Sequence, residues 1–497
     1  MKKFVVRGAT RIGRFFWSWR FLKIVLWSVT LIVLFYAEED WRGARAWAAT
    51  KAKWETRGES FDPNTYFPRP VPDDQNLAAL PIFKMEPDPK NGGLLAPLKL
   101  QHALNENFHG GELPPLHRGK PDAPFDLDPI RMGIAKAYAR AFPGAKPPAD
   151  PLAQFDALYP MLSEIRKAAA TRPYCRFNQD YTAQPPMYRG FVLLTTQINL
   201  SRQFALHAMI ALEENKSDVA LDDIKVNLRL AGAAARDPTV VGGLIAVGII
   251  AITRGAIDEG IFLHAWNDSA LVDLQAKLTR TDLLARYPFA LRGEIITETI
   301  PELDYLKLQR PSFFGVWPIG LMDVDKSHMV DFFFRESRVM DSKKSRVYPE
   351  ITRKLEMEVE KTEALPWRLA PWNIFFATAV GPISNLSFQF AEIQVHVDED
   401  RIACALERYH LVHGAYPDSL DALAPAYSAE LPRDVMNGEP YHYRLRPDGT
   451  FLLYSVGWNQ KDDGGRVTYS TENPERPNFW EGDWPWPDSP WATTARR

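Results

Sequence analysis

The sequence predicts a mainly α protein with an N-terminal transmembrane helix, a helical body containing helical hairpins, and a small C-terminal α+β head. Three observations carry this expectation. An apolar run at 15–37 is flanked on one side by basic residues alone. Residues 131–390 carry repeated apolar-periodic segments. Residues 391–470 switch from helical periodicity to two short alternating strands around a turn.

The apolar run reads FFWSWRFLKIVLWSVTLIVLFYA, long enough to cross a hydrocarbon core of about 30 Å. Arg20 and Lys23 sit near one end, from which long side chains reach the headgroups. Trp17, Trp19 and Trp27 toward one side, and Tyr36 and Trp41 toward the other, suit interfacial belts. Lys2, Lys3, Arg7, Arg11 and Arg14 precede the run, and no acidic residue appears before Glu38. The expected arrangement is a cytoplasmic basic tail (1–14), one span of the inner membrane (15–37), and a periplasmic or otherwise extracytoplasmic remainder. The alternative is a cleaved signal peptide. Its small-x-small site, Ala46-Trp47-Ala48, lies well past the apolar run, which favours the uncleaved anchor.

Residues 38–60 continue as a juxtamembrane helix, with Ala44, Trp47, Lys51 and Trp54 forming a stripe that ends near Gly58. The connection at 61–130 is rich in proline and poor in periodicity. Within 131–390, Met187–Leu212 and Val219–Ala235 are expected to form a helical hairpin resembling a single tetratricopeptide-type unit. Val240–Ile252 is wholly apolar but too short to span, so a buried core helix is expected. Asn267 is a natural N-cap for the next helix. Leu369–Ala391 lacks charge, but its prolines and amides argue against a second span.

Of the 497 residues, 46% are hydrophobic and 24% charged, which suits a folded globular body. The net charge of -3 offers no electrostatic case for nucleic acid. Cys175 and Cys404 do not make a disulfide framework and read as buried thiols. No H-E-x-x-H, G-x-S-x-G, P-loop or G-x-G-x-x-G motif occurs. Asp323, Asp325, His328 and Asp331 have metal-ligand chemistry, but a polar turn is the commoner use of such a cluster. Glu294, Glu298 and Glu302 would share a helix face, more often a solvated face than an acid/base site.

The C-terminal segment has the order helix, short helical turn, hairpin. Its landmarks are Ala405-Leu406-Glu407-Arg408-Tyr409, Gly414-Ala415-Tyr416-Pro417, Leu431-Pro432-Arg433-Asp434 and Tyr454-Ser455-Val456-Gly457. This order resembles the soluble head of the type II secretion major pseudopilin, over about 75 residues. The whole chain also looks like uncharacterised membrane-anchored bacterial envelope proteins that end in the same module. The pseudopilin resemblance implies a helix across a small antiparallel sheet, and a calcium loop at Asn459, Asp462 and Asp463. Gly13 is followed by Arg14, with Ser18 at the fifth position, so pilin-type processing is not expected. The tail 471–497 is rich in Trp and Pro and is expected to pack on the body.

The functional expectation is a membrane-anchored, non-enzymatic envelope scaffold or binding protein whose partners are the lipid bilayer and envelope or secretion proteins. The alternatives are an accessory component of a type II secretion or pilus-like machine, and a hydrolase with a composite site in the helical body.

Overall fold

A computed structural model of the chain describes residues 19–84, 86–87, 94–95, 100, 104, 125–177, 181, 191–309, 318–363, 376, 384–469 and 477–487. The basic tail, part of the proline-rich connection, most of Leu369–Ala391 and Trp491 lie outside the described residues. The protein is mainly helical, as expected. Its helices are α1 (Trp19–Glu55), α2 (Asp128–Ala141), α3 (Pro151–Leu158), α4 (Pro160–Thr171), α5 (Phe191–Glu213), α6 (Ser217–Ala234) and α7 (Val240–Phe262). They continue as α8 (Asp268–Thr279), α9 (Leu283–Gly293), α10 (Ile300–Leu308), α11 (Ile319–Glu336), α12 (Pro349–Glu363) and α13 (Ser384–His413). Strands are short: β1 (Glu86–Pro87), β2 (Leu94–Leu95), β3 (Met340–Asp341), β4 (Arg346–Val347), β5 (His442–Leu445), β6 (Phe451–Ser455), β7 (Val467–Tyr469), β8 (Pro477–Gly482) and β9 (Trp484–Pro485).

The chain forms two compact units. The first comprises 1–61, 300–332 and 358–381. Here α1 runs unbroken from Trp19, within the expected span, to Glu55 in the juxtamembrane segment. No residue of its apolar window is buried, whereas more than half of the corresponding window of α7 is buried. The C-terminal half of α1 packs on α11. Gly43 and Gly320 meet there, and a methyl group on Gly320 would collide with the Glu39 carbonyl. Asp40 accepts the Gly320 amide at 2.8 Å. Trp54 is fully buried, and its indole donates to Asp331 at 3.3 Å, while Lys53 pairs with the same carboxylate. The packed stripe is Gly43, Trp47, Lys51 and Trp54; Ala44 is exposed.

The second unit comprises 62–299, 333–357 and 382–497. Helices α5, α6 and α7 pack on one another. The α5–α6 hairpin turns at Asn215, with φ 58°, a left-handed conformation that Asn tolerates better than most side chains. Thr239 caps α7 by accepting the Gly242 amide. Asn267, as expected, caps α8 by accepting the Ala270 amide. Buried His207 of α5 joins Asp223 of α6 at 2.5 Å and Asp156 of α3 at 3.1 Å, and Arg166 of α4 bonds Asp223 at 2.8 Å. Both cysteines are buried and free.

α13 is central to this unit. It packs on α7, α8 and α9, and its outer end meets β6. The sequence-based boundary between body and head, at 390/391, therefore falls inside a continuous helix. Ile402 and Leu406 are fully buried. β5 and β6 pair antiparallel with His442 opposite Tyr454 and Leu445 opposite Phe451, the expected hairpin. β9, from the Trp/Pro-rich tail, adds to the other edge of β6, giving the order β5-β6-β9. All five residues of β6 are consequently buried.

A polar cluster joins α9, α11, α12 and α13. Tyr287 donates to Glu336 at 2.5 Å, Thr352 donates to the same oxygen at 3.3 Å, and Thr352 and Ser387 lie 3.2 Å apart. Burial pushes the Glu336 carboxyl up to about 7 from 4.5. The folded chain thus holds a proton that the unfolded chain releases. Stability from this group is present below about pH 4.5 and lost as pH rises through 7, by about 3 kcal/mol in all. Urea midpoints should therefore fall less between pH 5 and pH 8 for Glu336→Gln than for the parent. Equal falls would refute the assignment.

Candidate functional site

The candidate site is a cleft of about 930 Å³ in the second unit. Its walls are the end of α7 (Ile261–His264), the end of α13 with the following loop (His410–Tyr416), the β5–β6 turn, residues 465–469, and Trp486.

Trp486 forms the floor of the cleft, and behind it α7 and α13 bury a cluster of charges. Arg254 donates to Asp400 through Nε at 2.6 Å and Nη2 at 2.8 Å, a bidentate pair. Asp258, one turn beyond Arg254, lies 3.9 Å from the same guanidinium. The indole of Trp486 donates to both Asp258 (3.1 Å) and Asp400 (3.0 Å). Burial would strip the proton from Arg254, but Asp400 and Asp258 more than offset this and hold it as a cation. Trp486 also stacks between Phe262 (5.5 Å) and Phe451 (5.2 Å), so it closes the floor with both its ring and its N–H.

A second buried pair lies nearby on α13. His396 Nδ1 and Glu399 sit 2.6 Å apart. Burial drives His396 well below and Glu399 well above their ordinary values, which favours the neutral form of each.

The rim of the cleft brings His264, Glu407 and His410 together, with donor atoms within 4.8 Å of one another. His264 Nδ1 is 2.8 Å from Glu407 Oε1, and Tyr416 donates to Glu407 Oε2 at 2.9 Å. The two imidazoles are stacked at 4.8 Å, and His410 contacts the Tyr416 ring at the same separation. Glu407 is fully buried; His264 is half exposed.

His264 is placed there by the way α7 ends. Ala265 N–H bonds to Gly260 C=O and His264 N–H to Ile261 C=O, a Schellman closure. That closure needs a left-handed residue, usually glycine, and His264 occupies it at φ 49°. A side chain in this conformation costs about 1–2 kcal/mol. The chain retains a histidine where glycine would be easier.

The positions singled out from sequence behave differently. In the loop after β6, Asn459 donates to Asp463 at 3.0 Å. Asp462 accepts from Tyr454 at 3.0 Å and from the Gly464 amide at 2.9 Å, and Lys461 pairs with Asp463 at 3.2 Å. These donors are engaged with the chain itself, and a calcium ion would have to displace those bonds. Asp323, Asp325 and Asp331 turn to separate partners: Lys307, the Phe376 amide at 2.9 Å, and Lys53. A π-helical turn over Glu294–Thr299 shifts the four-residue register of Glu294, Glu298 and Glu302, and Glu294 instead caps Val240 at 2.9 Å.

None of the rim residues was singled out for chemistry. One signal was available: Glu407 and His410 are three apart, the E-x-x-H spacing that puts both side chains on one helix face. His264 had no such signal, because its role depends on a helix end meeting another helix across 143 residues. Compared with known proteins, the chain matches no family model, no curated sequence and no solved structure.

Proposed function

We propose that this chain is a membrane-anchored binding protein, held in the inner membrane by α1, with its helical body outside the cytoplasm. The observation that carries this is the exposure of the apolar half of α1. Trp19, Leu26, Trp27 and Leu31 are each more than 60% exposed on a helix whose other half is packed. An apolar face of that size in water is unfavourable; a bilayer covers it. The basic residues before it support a cytoplasmic N-terminus. The cleft supports the binding role, since it combines aromatic walls with Arg446, Arg466 and the histidine rim. The α13–hairpin order supports the alternative, an accessory component of a type II secretion or pilus-like machine.

The convergence of His264, from the end of α7, with Glu407, His410 and Tyr416, from α13 and the loop after it, favours a second reading, a hydrolase with a composite site. An ester or phosphoester hydrolysis abolished by Glu407→Gln in the folded chain would replace the non-enzymatic reading with this one.

Alkaline phosphatase fused after residue 60 should be active, and a cytoplasmic reporter fused at the same point silent. The reverse pattern would overturn the topology. Release of the full chain from membranes by alkaline carbonate would overturn the anchor.

A further inference from the structure

We propose that His264, Glu407 and His410 bind a divalent transition-metal ion of the zinc class, with one coordination position left open to the cleft. The proposal holds whether or not α1 spans a bilayer. Among the described residues, this is the one group of three or more His, Cys, Asp or Glu side chains gathered closely enough to hold an ion.

The donor set is two imidazoles and one carboxylate. Nitrogen-rich sets of this kind select zinc and its neighbours, whereas calcium and magnesium require oxygen cages. Zinc bonds of about 2.0–2.1 Å in a tetrahedral arrangement set ligand atoms about 3.3 Å apart. Here they lie within 4.8 Å, so side-chain rotation completes the site. His264, half exposed, has the room to rotate.

Three features go beyond an ordinary histidine–carboxylate pair. First, Tyr416 holds the second oxygen of Glu407, which fixes the carboxylate and aims its first oxygen at His264. Such outer partners orient metal ligands. Second, His410 is stacked beside the pair rather than pointing away, although the pair needs no second imidazole. Third, His264 occupies a left-handed helix-end position in which glycine is the unstrained choice. Strained backbone conformations gather where a side chain is needed for function. Three protein ligands leave a fourth position for water or an anionic group, and Arg446 and Arg466 line the same cleft.

The test uses the full chain in detergent, without a histidine tag, stripped with chelator and titrated with Co2+. One equivalent should bind, give visible ligand-field absorption and be displaced by Zn2+. His264→Gly is the decisive variant, because it removes a ligand while relieving the backbone. It should weaken Co2+ binding at least tenfold while the metal-free chain stays folded. His410→Ala should weaken binding similarly. Asp462→Ala, in the separate loop after β6, should leave binding unchanged. The proposal is overturned if the parent binds no stoichiometric Co2+. It is equally overturned if His264→Gly and His410→Ala, both folded, bind within twofold of the parent.

Discussion

Replacing Arg254 by alanine is expected to destabilise the second unit by about 3–5 kcal/mol. The guanidinium is 2% exposed and forms two bonds to Asp400, which is itself fully buried beside Asp258. Removing the cation leaves two carboxyl groups facing one another in a low-dielectric interior, with only the Trp486 N–H between them. They will then take up a proton rather than both remain ionised. Burial already raises the Asp400 carboxyl well above its usual range, and Arg254 opposes that rise, so loss of Arg254 should make the contact weaken more as pH rises. Chemical denaturation followed by tryptophan fluorescence, at pH 5 and pH 8, reads both effects. A loss below about 1 kcal/mol at pH 8 would mean that the pair is solvated or replaceable. Pairing Arg254→Met with Asp400→Leu should recover much of the loss, because a packed apolar pair avoids the desolvation cost.

These charges also show where sequence reasoning stops. The α5–α6 hairpin, the cap at Asn267 and the β5–β6 hairpin are local. Each follows from apolar period, side-chain capping or turn chemistry within a few residues. α7 was legible as a core helix because its first half is apolar on every side. α13 was not. Its segment His396–Asp400 reads HVDED, which in isolation belongs on a solvated face. It is buried because α7, α8 and α9 surround the helix and supply Arg254, while the tail supplies Trp486. Periodicity cannot report a partner 146 residues away. The same non-locality hid the rim of His264, Glu407 and His410 and made the C-terminal module look separable. A helix with one apolar face at Ile402 and Leu406 looks like the spine of a small head, until its charged face is found buried as well.

Trp486→Ala should cost about 3–5 kcal/mol, the range for deleting a large buried aromatic. The side chain is 7% exposed and supplies two distinct interactions, the stack between Phe262 and Phe451 and the N–H shared by Asp258 and Asp400. Trp486→Phe separates them. It keeps much of the stack and removes the donor, so it should cost about 1.5–3 kcal/mol, the value of a hydrogen bond to charged acceptors. Because both variants act on carboxylates that Arg254 also holds, Trp486→Phe and Arg254→Met should be non-additive by more than about 0.5 kcal/mol. The mutations lie far apart in the sequence, one in α7 and one just past β9, so additivity within error would dissolve the network into independent contacts. The tail provides an independent readout. β9 pairs with β6 through Trp484 and Pro485, directly before Trp486. Without the indole, that short edge strand loses its anchor, and amide exchange at Leu453–Ser455 should accelerate in Trp486→Ala more than in Trp486→Phe. Unchanged exchange in both would show that β9 is held by its own pairing and that Trp486 serves only the cleft floor.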